Sequence, residues 1–91
     1  LGGAGVTAAT WTRDGAGWRA IVDANVTLFA VPDRTRRDQP ARGTKWRAGA
    51  THWDEDTRTA SRFGRDVYGE LCPDAKAAKA LAEAVYAEAT A

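Results

Sequence analysis

Side chains that carry covalent or acid–base chemistry are few in this chain. It holds one His, one Cys and one Ser: His52, Cys72 and Ser61. Nucleophilic catalysis needs a nucleophile beside a base that a third group orients, and nothing in the sequence brings these three together. One Cys and one His cannot complete the four ligands of a zinc site within one chain. Asp54-Glu55-Asp56 is a carboxylate cluster without the spaced oxygen ligands and glycine of a calcium loop; it reads as turn chemistry. Gly2-Gly3-Ala4-Gly5 precedes the first expected strand, whereas a phosphate loop links a strand to a helix. The expectation is no enzyme, no metal and no cofactor.

Arginine is the other candidate. Arg supplies ten of the 13 Lys/Arg residues, and its planar fork suits bidentate contact with carboxylate or phosphate. Arg over Lys with abundant Ala and Gly is also what a GC-rich coding sequence produces. Through Arg65 the chain carries 11 Lys/Arg against 7 Asp/Glu, and from Asp66 onward 2 against 5. The basic part is therefore the part that precedes the last helix.

The elements that position these groups follow from periodicity. The 91 residues make one domain with one modest core. Trp46, Ala48, Ala50 and His52 alternate with Arg47, Gly49, Thr51 and Trp53; a turn at Asp54–Thr57 leads into a second run from Arg58 to Phe63. This hairpin is extendable through Arg65–Tyr68. Val6 to Thr12 is a first strand, Asp14-Gly15-Ala16-Gly17 a hairpin loop, Trp18 to Val22 the returning strand and Val26 to Val31 another strand. Asp23-Ala24-Asn25 reads either as a bulge in one long strand or as a short turn. Leu1 to Gly5 is a flexible leader, and residues 32–44 form a mobile basic loop carrying Arg34, Arg36, Arg37 and Arg42. Residues 74–90 are an amphipathic Ala-rich helix, capped by Asp74 or Cys72 with Pro73 in its first turn. Ala78, Leu81, Ala82, Val85 and Ala89 lie on its apolar stripe, and Lys76, Lys79 and Glu83 on the other side. Trp18, Trp46 and Phe63 are the expected large partners of that stripe. The predicted fold is α+β: a small antiparallel sheet of three to five strands on one C-terminal helix.

With one cysteine no internal disulfide forms. No apolar run reaches the ~20 residues of a membrane-spanning helix, so a cytoplasmic protein without a membrane partner is expected.

Hairpin and helix together resemble the arm-type DNA-binding domain of phage and mobile-element tyrosine recombinases. The residues that carry the likeness are Trp46-Arg47-Ala48, Trp53-Asp54-Glu55-Asp56, Thr57 to Gly64 and Ala75 to Leu81. In that family a three-stranded sheet backed by the helix places its open face in the major groove. Residues 6–40 lie outside the likeness, and the segment from Arg65 to Pro73 is longer than the family's link.

Alternation alone puts Arg47, Thr51, Trp53, Arg58 and Arg62 on the sheet face opposite the helix. Arg takes a guanine edge or a phosphate, and an aromatic ring stacks on a base. The resulting expectation is a small nucleic-acid-binding regulator of phage or mobile-element type, contacting DNA through Arg47, Trp53, Arg58 and Arg62, with Arg36 and Arg37 of the loop. The alternative is a protein-binding module, such as a phage-encoded inhibitor or an assembly subunit. It would anchor its partner on Trp11, Trp53 and Tyr68, with homodimers formed by pairing of sheet edges.

Overall fold

In the computed structural model, described for residues 9–33 and 44–91, the chain is a five-stranded antiparallel sheet packed on a single C-terminal helix. The strands are β1 (Thr12–Asp14), β2 (Gly17–Ile21), β3 (Val26–Pro32), β4 (Trp46–Asp54) and β5 (Thr59–Arg62), and they neighbour one another in chain order. The helix α1 spans Ala75–Thr90. The expected leader and residues 34–43 of the expected basic loop, Arg36 and Arg37 included, lie outside the described residues, while Pro32, expected to open that loop, is the last residue of β3.

Each turn has a local cause. Gly15 adopts φ +62°, which lets a two-residue loop close the β1–β2 hairpin with Asp14 opposite Gly17. Val6 to Ala8 of the expected first strand lie outside the described residues; Ala9 to Trp11 are not strand, and pairing starts at Thr12, where the strand was expected to end. Asp23 resolves the bulge-or-turn question in favour of a turn. Its carboxylate accepts from the Ala24 amide at 2.6 Å and its carbonyl from the Val26 amide at 3.4 Å, so β2 folds back on β3 with Ala20 opposite Leu28.

At the β4–β5 turn, the Asp54 carboxylate accepts from the amides of Asp56 and Thr57 at 2.9 and 3.4 Å. Arg58 belongs to this turn, with φ +58°, and not to the second strand, which begins at Thr59. Nor does that strand continue through Tyr68. Gly64 takes φ +79°, and the chain leaves the sheet there. It returns only at Cys72, whose amide and carbonyl bridge Trp46 at 2.8 and 2.9 Å. Residues 64–71 therefore form a strap beside β4, between β5 and that bridge. A side chain at Gly64 would meet Val85 Cγ1 at 2.9 Å, so the helix also requires a glycine at this reversal.

Asp74 caps the helix: its side chain accepts from the Ala77 amide at 2.8 Å. Pro73 precedes the cap instead of occupying the first turn. The helix presents Ala78, Ala82 and Val85, all fully buried, to one face of the sheet. That face supplies Ala20, Val26, Leu28, Ala30, Ala48 and Ala50, with Val67 from the strap and Cys72 from the bridge that follows it. Alanines on both layers allow close approach, and Leu28 is the largest side chain sealed between them. Its burial contributes about 1.5–3 kcal/mol. Trp18, Trp46 and Phe63 pack around this core as the sequence implies.

Lys79 and Glu83 depart from the expected solvated side of α1. The Lys79 ammonium sits 3.5 Å from the centre of the Trp18 ring, and Glu83 accepts from Trp11 Nε1 at 2.8 Å and from the Ala9 amide at 3.2 Å. Glu83 thus ties the chain before β1 to the helix, and Lys79 ties β2 to it.

Candidate functional site

Among the described residues no helix lies over the second face of the sheet. Strand register places its side chains in rows. One row runs Arg19, Phe29, Gly49 across β2, β3 and β4; the next runs Ile21, Thr27, Thr51, Arg62 across β2 to β5. Trp53 follows beside Ala60, and Val31 with Arg47 lies toward the other end. Ile21 is 66% exposed, Trp53 40% and Tyr68 of the strap 50%. Phe29 is half-buried, with its ring flat over Gly49: a β-carbon there would stand 2.7 Å from Phe29 Cζ. Tyr68 adds a second ring, 6.0 Å from Phe29 and tilted by 55°.

The arginines expected to act together have different circumstances. Arg47 does lie on the open face, but its guanidinium is engaged. Nε is 3.6 Å from the carboxylate of Asp33, whose side chain is only 6% exposed; Nη1 donates to the Tyr68 carbonyl at 2.7 Å; and the group rests 5.1 Å from the Tyr68 ring centre. Held on three sides, it is a structural cation that ties the strap to the base of β3. Arg62 also lies on this face and meets Asp66 through a single 3.6 Å contact, both side chains being more than half exposed. Such a surface pair is worth about 0–1 kcal/mol. Arg58 stands on the turn, away from the rows. Arg36 and Arg37 fall outside the described residues. Arg19, not singled out from the sequence, is exposed on the open face and makes no ion pair among the described residues. The period-two pattern of β2 would have found it.

Between β4, β5 and the strap lies an open cleft of about 370 Å³. Phe29, Gly49, Ala60, Val67 and Tyr68 give it apolar walls, and Arg62, Arg65 and Asp66 stand around it. Arg65 is committed to the helix: it donates twice to Glu88, at 3.1 and 3.3 Å, and lies 3.5 Å from Glu70. The Glu88 carboxyl is held below its ordinary range by that hydrogen bond, and the Arg65 guanidinium is raised in turn. The cleft exists because β5 separates from β4 after Phe63, whose amide gives β4 its last bond from this hairpin, to Ala50. No sequence signal marks it.

The three groups with catalytic potential do not all converge: two are paired and the third lies elsewhere. His52 and Ser61 face each other across β4 and β5 on the helix side of the sheet. Cys72 is buried at the far end of β4, its thiol pushed up by burial first and then by Glu70 and Asp74. Trp11 is half-buried against α1, on the covered side, and is not an anchor of the open face. Among the described residues no three His, Cys, Asp or Glu converge as a metal site, and no helix is long and apolar enough to cross a membrane.

Comparison of the chain with protein-family models, curated proteins and solved structures finds no match.

Proposed function

We propose that this chain is a non-enzymatic protein-recognition module that engages another polypeptide with the uncovered face of its sheet. The observation that carries this reading is the set of exposed apolar side chains on one face: Ile21 and Trp53 from the strands, and Tyr68 of the strap beside Phe29. Aromatics with a neighbouring arginine are the usual anchors of protein interfaces. The charges of this face favour the same reading over nucleic acid. Arg47 is neutralised by a buried carboxylate and Arg62 has Asp66 beside it, which leaves few cations to release counterions from a phosphate backbone.

Native mass tests the reading. In extract of the source cells the tagged chain runs above its monomer mass, nuclease treatment leaves that mass unchanged, and Ile21→Asp returns it to the monomer. A nuclease-sensitive complex, together with salt-dependent retention on DNA that Arg19→Ala and Arg62→Ala abolish, would establish the nucleic-acid reading in its place.

A further inference from the structure

The strap runs between two fixed points of β4. Phe63 is bonded to Ala50 before it begins, and Cys72 to Trp46 where it ends. Ala48 stands midway. Trp46 and Ala50 turn their backbone groups away from β3, and the alternation of an antiparallel ladder turns those of Ala48 the same way, toward the strap. No hydrogen bond among the described residues meets the Ala48 amide or carbonyl, and the residue is fully buried. Buried backbone groups are nearly always paired. The closed strap therefore keeps two polar groups from the water that would satisfy them.

Little holds the strap down against that penalty. Of residues 64–71 only Val67 is buried, and the other seven are exposed. The one backbone bond the segment makes, from the Glu70 amide to the Val67 carbonyl at 3.0 Å, is internal. Gly64, with its positive φ, stands at the start, and a β-carbon at Gly69 would meet nothing within 4 Å. The remaining grip is charged. Arg47 Nη1 donates to the Tyr68 carbonyl at 2.7 Å, Arg65 reaches Glu88 of α1 at 3.1 Å, and Arg62 of β5 meets Asp66 at 3.6 Å. Segments with so little buried apolar surface and so few bonds to their surroundings are the ones that open locally.

We propose that the strap is a hinged cover: residues 64–71 lift from β4 as a unit, between Gly64 and the Cys72 bridge, while sheet and helix stay folded. In the lifted form Val67 leaves the core, Tyr68 leaves Phe29, and water reaches Ala48. The open face thus exists in two forms, one with the Tyr68 ring and one without it. Arg47 biases the pair toward the closed form, because its bond to the Tyr68 carbonyl exists only when the strap is down. The hinge stands whether or not that face engages a polypeptide.

Native-state hydrogen exchange of the full chain, read by NMR at urea concentrations below the unfolding transition and corrected for intrinsic rates, tests this. The Ala48 amide exchanges by lifting, which exposes little surface, so urea hardly changes its rate. The Gly49 amide points at β3 instead and exchanges only when the sheet unfolds, at least about tenfold more slowly and with a steep urea dependence. Arg47→Ala speeds exchange at Ala48 about three- to tenfold, as loss of a charge-assisted hydrogen bond requires. The wild-type measurement decides the matter even if that variant is too unstable to study. Ala48 and Gly49 amides that exchange at one rate with one urea dependence overturn the proposal, as does a folded Arg47→Ala variant whose Ala48 rate is unaltered.

Discussion

The two faces of the sheet use opposite materials. On the helix side the sheet contributes mainly Ala20, Ala30, Ala48 and Ala50 around Leu28, and the helix answers with Ala78, Ala82 and Val85. On the other side stand Ile21, Phe29, Trp53 and Tyr68, larger side chains with less cover. In a chain this short the ordinary expectation is that bulk is reserved for the core. Small residues close the centre of the core by letting two layers approach, Trp11, Trp18, Trp46, Phe63 and Tyr86 pack around it, and Ile21, Trp53 and Tyr68 stay exposed on the other side.

Stability measurements on matched truncations would break that contrast or sharpen it. Leu28→Ala opens a cavity in a layer that has few other large side chains, and costs about 2–5 kcal/mol in denaturant unfolding. Ile21→Ala, two residues before the β2–β3 turn and 66% exposed, stays within about 0.5 kcal/mol. Equal losses at the two positions would mean that the second face is also a core, covered by parts of the chain outside the described residues. The arginines give a smaller version of the same test. Arg47→Ala removes one partner of a buried carboxylate together with the bond to the Tyr68 carbonyl and costs about 1–3 kcal/mol, whereas Arg62→Ala costs at most about 1 kcal/mol.

Acid titration gives the smallest effect. Glu88 has its carboxyl lowered by Arg65, so the folded state binds that proton less readily than the unfolded chain does. The contribution is present above the ordinary carboxylate range and is lost as pH falls through the lowered value. Glu88→Gln should therefore lower the neutral plateau slightly and leave the acid end of a stability–pH curve unchanged, so that the acid limb flattens. A loss of the same size at every pH would assign Glu88 a role other than its pair with Arg65.

Much of the fold was readable because it follows local periodicity. The alternation from Trp46 to Trp53 fixes which residues of β4 face the helix, and Asp74 before an Ala-rich run fixes where the helix begins. Placement of Arg47 on the open face was readable for the same reason. Its capture by Asp33 was not, since that contact depends on where β3 ends against β4 and where the strap crosses. The strap itself was hidden in Gly64. A positive φ at one glycine turns the expected continuation of β5 into a departure from the sheet, and the cleft follows from that departure. Lys79 and Glu83 misled for a related reason. Helical spacing says which residues share a side of α1, but not that Trp11 and Trp18 rise to meet them.

The outermost strands carry one last implication. With three residues in β1 and four in β5, each margin offers only a couple of outward amides and carbonyls, too few to template a neighbouring chain side by side. Crowding such molecules together should not zip them into ribbons. Whatever cohesion they have is left to the faces of the sheet and not to its margins.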